Sequence, residues 1–135
     1  MTSEDARRLE AFLKPSRIVV VATIGQRGMP QLTPNWYTYA HGTLMISTTK
    51  ERIKYRNLSR DNRMTVCIYS ESQAENYVTL WGHVTMRDDA SIWPDTHAIV
   101  ARYVSPSDVE ARMQELRSQN RVIIDFTPER MLFRA

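Results

Sequence analysis

Ser47-Thr48-Thr49-Lys50-Glu51-Arg52-Ile53-Lys54-Tyr55-Arg56-Asn57-Leu58 is the stretch on which this chain turns. It follows an apolar run, Leu44-Met45-Ile46, that reads as a short strand. It then becomes helical, with Ile53 and Leu58 on an apolar side and no Gly or Pro to interrupt. Thr49 suits the N-cap, where its hydroxyl accepts from a first-turn amide. The charge is out of place. Lys50, Arg52 and Lys54 crowd a helix start whose macrodipole is already positive, at a cost of a few tenths to ~1 kcal/mol each. Glu51 relieves only part of that. An anion held there reverses the sign, because free amides, Thr hydroxyls and cations all point at it. The stretch therefore reads as a phosphate site, against the plainer alternative of a solvated basic helix face.

Upstream, Ala6, Leu9, Phe12 and Leu13 mark one face of a helix that starts near Thr2 or Ser3 and stops before Pro15. Residues 17–24 form a Val- and Ile-rich strand, continuous enough to be buried on both faces. Gly25-Gln26-Arg27-Gly28 signals a turn, and residues 30–39 return as a second strand. Pro34 inside that run implies an edge, a bulge or a bend. His41-Gly42 turns the chain into a third strand over 43–48, completing a meander before the basic helix.

Downstream, residues 64–69 read as a fourth strand and 77–86 as a long fifth, with Gly82 marking a bulge or a close approach of another backbone. Asp88-Asp89 caps a helix through Tyr103, and Ser107 and Glu110 have capping-box spacing for another to about Ser118. Residues 121–127 and 130–134 are closing strands around Pro128-Glu129. Strands joined mostly by tight turns pair antiparallel, and a small sheet with this many strands tends to close on itself. The expected fold is a mainly β barrel with peripheral helices, a single domain over 1–135.

Composition narrows the function classes. A hydrophobic fraction of 42% and charged fraction of 24% belong to an ordinary globular protein, and no run has the length to span a bilayer. The acidic start Met1-Thr2-Ser3-Glu4-Asp5 has no apolar leader, and the single Cys67 fits a reducing cytoplasm and a packed core position. A net charge of +3 permits an anionic ligand but is modest for a duplex-DNA binder. His41 and His97 have no partner at metal-ligand spacing, so no metal site is expected.

Two motifs carry a resemblance: Gly28-Met29-Pro30-Gln31-Leu32-Thr33-Pro34-Asn35-Trp36-Tyr37 and Arg52-Ile53-Lys54-Tyr55-Arg56-Asn57-Leu58. Together they resemble the pyridoxamine-phosphate-oxidase-like flavin-binding split barrels, an antiparallel, Greek-key-like fold. The ending Arg121-Val122-Ile123-Ile124-Asp125-Phe126-Thr127-Pro128-Glu129-Arg130 is similar to the small actinobacterial branch that uses the deazaflavin coenzyme F420. The resemblance implies a homodimer with cofactor sites at the subunit interface. It implies that Arg52 and Lys54 hold the cofactor phosphate, with Thr48, Thr49 and Lys50, and that Thr33, Pro34, Asn35 and Trp36 line the ring. Trp81 would pack at the dimer seam. The chain ends without the full basic motif by which true pyridoxamine phosphate oxidases hold their substrate, which argues against vitamin B6 oxidation.

Surface cations Arg27, Arg56 and Arg60 favour the longer anionic tail of F420 over FMN. The implied reaction is hydride transfer to an electron-poor double bond of a small organic substrate, chemistry that belongs to the cofactor and needs no catalytic triad. Tyr37 is a candidate proton donor. Two alternatives remain at this level: a non-catalytic flavin carrier, and a single-strand nucleic-acid-binding barrel in which Tyr55 and other aromatics stack bases.

Overall fold

In the computed structural model, which describes residues 1–134, the chain opens with a capped helix, α1 (Ser3–Leu13). The Thr2 hydroxyl accepts from the Asp5 amide and the Asp5 carboxylate accepts from the Thr2 amide, each at 3.0 Å. Two orphan donors are thereby satisfied. Leu9 and Leu13, four apart, put one stripe of α1 into the core.

Seven strands follow: β1 (Val19–Ile24), β2 (Pro30–Asn35), β3 (Thr38–Ala40), β4 (Thr43–Thr49), β5 (Arg63–Tyr69), β6 (Tyr77–Arg87) and β7 (Arg121–Arg134). All pair antiparallel in one sheet of order β2-β1-β5-β6-β7-β4-β3. The two edge strands are sequence neighbours joined through Trp36 and Tyr37, so the sheet must curl until its ends meet there. This is a split barrel. The first three strands are thus not a meander. The return after the first turn breaks at Trp36-Tyr37, and its two halves sit at opposite edges.

Tyr37 explains the break. Its side chain is fully buried, and its hydroxyl donates to the carbonyls of Leu13 (2.8 Å) and Pro15 (3.1 Å) at the end of α1. A residue driven inward to that depth cannot also continue a ladder. Pro34, two residues earlier, stays within β2 opposite Val20, where an edge strand tolerates its missing N–H. The core holds Leu44, Ile46, Val66, Ile68, Val78, Leu80, Ile124 and Phe126, the inward positions of four neighbouring strands. Burial in β1 alternates rather than running on both faces: Val19, Val21 and Thr23 are buried, while Val20, Ala22 and Ile24 are half-exposed.

The same alternation corrects Cys67. Met64, Val66 and Ile68 point inward, so Cys67 lies half-buried on the outer face, where burial pushes its thiol pKa up. Gly82 is both a register shift and a close approach: a Cβ there would sit 2.1 Å from the Thr127 carbonyl oxygen. Across it the two expected closing strands are one, with Pro128 opposite Gly82 and Arg130 opposite Trp81, leaving Glu129 extra.

Between β6 and β7 lie α3 (Ile92–Tyr103), a 3-10 turn (Pro106–Asp108) and α4 (Val109–Arg117). No side-chain cap forms at α4, so the expected Ser107–Glu110 box is absent; the 3-10 turn starts the helix instead. Arg87 secures α3 to the sheet, pairing with Asp125 at 2.6 Å and Asp95 at 2.9 Å. Arg102 of α3 donates to the carbonyls of Leu13, Lys14 and Pro15 and so caps the end of α1 from a distance. Because Arg102 shares both of its acceptors, Tyr37→Phe leaves no carbonyl orphaned. We expect it to cost only about 1 kcal/mol in chemical denaturation.

Candidate functional site

α2 (Ile53–Arg60) begins later than its sequence suggests. Thr49 closes β4, Arg52 is the N-cap, and no side chain caps the helix. Ile53 is half-exposed, while Lys54, Asn57 and Leu58 face inward. Asn57 decides this orientation: its amide donates to the Thr23 hydroxyl at 3.0 Å, satisfying a polar group that β1 buries. With Asn57 and Leu58 turned toward the barrel, Lys54 is carried in one turn earlier.

Lys54 is 5% exposed. Burial first, then the charges of Arg52 and Arg121, press its pKa down to about 8. No carboxylate offsets this. Arg121, at the start of β7, donates through Nε (3.2 Å) and Nη2 (2.9 Å) to the Ser47 hydroxyl. Its Nη1 donates to the Gln119 side chain at 2.9 Å. Burial and the neighbouring Arg52 charge lower its pKa too. Like charges gathered without acids are expensive, and a buried ammonium is unstable there unless an anion arrives.

These cations line a cavity of about 390 Å³. One wall is Pro34, Asn35 and Trp36; another is Ser47 and Thr48; α3 and α4 supply Thr96, Ile99, Arg112, Glu115 and Leu116. Trp36 stacks on Tyr103, centroids 4.9 Å apart and nearly parallel at 4°. The volume is of the order that takes a cofactor-sized ligand, and polar groups sit at one end of a partly aromatic cleft.

Of the residues expected from the sequence, the cavity brings together Pro34, Asn35, Trp36, Thr48, Arg52 and Lys54. It leaves out Thr33, Thr49 and Lys50. Thr33 instead accepts the Asn35 amide through its carbonyl (2.9 Å) and hydroxyl (3.0 Å), fixing that side chain. Lys50 precedes the helix rather than crowding its first turn, and pairs with Asp88 at 2.8 Å on the surface. Thr49 is not the cap, because its backbone is still in the ladder opposite Arg121. Tyr37 does not reach the cavity as a proton donor; burial pushes its pKa up to about 12 and its hydroxyl is committed to α1.

Sequence reading missed Arg121, Ser47 and Arg112. Arg121 opens a strand about 70 residues beyond α2, and only the β4–β7 ladder, with Thr49 opposite Arg121, makes them neighbours.

Solved structures of the same fold include a protein described as an F420 reductase, 22% identical, with 91% of this chain and 94% of that one covered at a TM-score of 0.73. A conserved hypothetical protein from Mycobacterium tuberculosis is 21% identical, covering 97% and 82% at a TM-score of 0.79. A heme binding protein from Mycobacterium smegmatis is 16% identical, covering 99% of this chain and 54% of its own at 0.72. At these identities the likeness is one of fold alone, and the fold serves different ligands. No curated protein matches the sequence. The sequence itself matches the pyridoxamine 5'-phosphate oxidase family over residues 6–135, essentially its whole length, and the chain belongs to that family.

Proposed function

We propose that this protein is a homodimeric oxidoreductase that binds coenzyme F420 and delivers hydride to an electron-poor double bond of a small organic substrate. The observation that carries the proposal is Lys54, a buried ammonium lining a cavity beside Arg52 and Arg121 with no acid to neutralise it. A phosphoryl group supplies the missing charge. Thr48 and Ser47 add hydroxyls at the same end, and Pro34, Asn35 and Trp36 form a wall suited to a flat ring. When bound, the cofactor supplies the hydride; the protein's part is to hold the phosphate, orient the ring and exclude water.

Support for a second copy comes from the outer sheet face. Strand register places Leu32, Ala22, Thr65 and Trp81 in one row and Pro34, Val20, Cys67, Thr79 and Leu132 in the next. Leu32 and Leu132 are 59% and 55% exposed, an apolar face of the kind that association covers. Pro34 belongs to both this face and the cavity, so an interface there would adjoin the site.

FMN is the second reading, favoured by a specific observation. Three cations meet at one point, which suits the dianionic phosphomonoester of FMN, whereas Arg27, Arg56 and Arg60 lie toward the other end of α2 and suit an anionic tail. Fluorescence titration with F420, FMN and an oligonucleotide separates the readings. We expect micromolar F420 binding, weakened at least about tenfold by Arg52→Ala. Tight FMN and weak F420 binding would install the second reading. Salt-sensitive oligonucleotide binding without either cofactor would defeat both. Turnover with quinones or enones then distinguishes an enzyme from a carrier.

A further inference from the structure

Arg112 stands at the opposite end of the cavity from the phosphate cluster. It is carried by α4, whose residues 112, 115 and 116 line one wall, with Gln119 just past the helix end bonded to Arg121. Seven residues at 1.5 Å rise separate Arg112 from Gln119 by about 10 Å along that wall. A ligand anchored at Lys54, Arg52 and Arg121 and extended through the cleft meets Arg112 with its far end.

The setting of Arg112 is that of a charge without a committed partner. Its guanidinium lies 5.4 Å from the centre of the Trp36 ring. Its one acid is Glu115 on the same helix, 4.0 Å away and with a side chain 67% exposed, a contact that holds little. Five N–H donors are therefore available beside the aromatic wall. The Trp36 ring is fixed from below by Tyr103, so Arg112 rests on a rigid surface.

We infer that Arg112 recognises the ring end of the bound cofactor and favours its reduced, negatively charged form over the oxidised neutral one. Two electrons and one proton convert a neutral isoalloxazine or deazaflavin into a singly charged anion. A guanidinium held beside that ring in a water-poor cleft stabilises the added charge and leaves the oxidised state nearly unaffected. Arg112 would thus be a positioning and potential-setting residue, distinct in role from the phosphate cluster. The inference rests on the cofactor proposal above and adds to it the end of the ligand that Arg112 reads.

The test is the ratio of affinities for reduced and oxidised FMN, or F420 if that is the cofactor taken up, measured anaerobically by titration and by midpoint potential. Arg112→Ala should lower the ratio about tenfold, a fall of about 30 mV for a two-electron couple. Arg112→Lys should recover most of it. Arg121→Gln should weaken both redox forms alike and leave the ratio unchanged. An Arg112→Ala protein that binds cofactor with the wild-type ratio overturns the inference while the cofactor proposal stands. A loss that lysine does not rescue also overturns it, by showing that shape rather than charge is at work. If wild-type protein takes up neither cofactor, the cofactor proposal itself is lost, and the role of Arg112 with it.

Discussion

Lys54→Met is expected to trade binding for stability: cofactor affinity falls by about a hundredfold, and the ligand-free protein becomes more stable by on the order of 2 kcal/mol at pH 7. Lys54 is 5% exposed, and burial together with Arg52 and Arg121 brings its pKa down to about 8 from an ordinary value of 10.5. Below pH 8 the folded chain holds a charge it disfavours, so the penalty is present in full. Between pH 8 and 10.5 the unfolded chain keeps the proton and the folded chain has released it, so stability rises with pH across that window. Methionine has nearly the same length and no proton to hold, so the variant should lose this rise.

Binding runs in the opposite sense. A phosphoryl group beside Lys54 raises its pKa, so the complex holds a proton that the free protein has lost above pH 8. Affinity should then fall as pH increases, by at most about tenfold per unit. Thermal melts of both proteins at pH 7 and pH 10, with titrations between pH 7 and 9.5, measure all of this. A methionine variant that binds normally and melts no higher would remove Lys54 from the site.

Gly82→Ala should cost about 3 kcal/mol or more, because its methyl would meet backbone rather than a flexible side chain. The new Cβ would lie 2.1 Å from the Thr127 oxygen, 3.0 Å from its carbonyl carbon and 3.1 Å from the Phe126 ring. To make room, β6 must separate from β7 at the longest strand pair in the barrel, next to the register shift that Glu129 creates. Gly28→Ala is the control. Gly28 has a φ of +85° with nothing within 4 Å, so alanine there carries only backbone strain, about 1 kcal/mol. Urea denaturation of the two variants should differ clearly. Equal losses would mean that the β6–β7 crossing yields more easily than its geometry indicates.

Much of the fold was legible before any coordinates. Thr2 and Asp5 have the spacing of a cap, Gly25 to Gly28 that of a tight turn, and Gly82 in a long strand announced a close approach. Each is a local matter, settled by residues within a few positions of one another. The break between β2 and β3 was misplaced onto Pro34 because proline is the visible breaker, whereas the operative force is burial of Tyr37 against α1, more than twenty residues away in sequence. The start of α2 was misplaced for a similar reason. Thr49 is a good cap by type, but its place in the ladder opposite β7 overrides that preference.

What the sequence determined on its own was the alternation that makes a curled antiparallel sheet and a cluster of cations with too few acids nearby. Those follow from side-chain chemistry and short-range spacing. Only the tertiary structure decided which cations converge: Asn57 turned Lys54 inward, the β4–β7 pairing delivered Arg121, and Asp88 drew Lys50 away. Pairing between strands distant in the chain is set by how the sheet closes, and closure is a property of the whole core rather than of any segment.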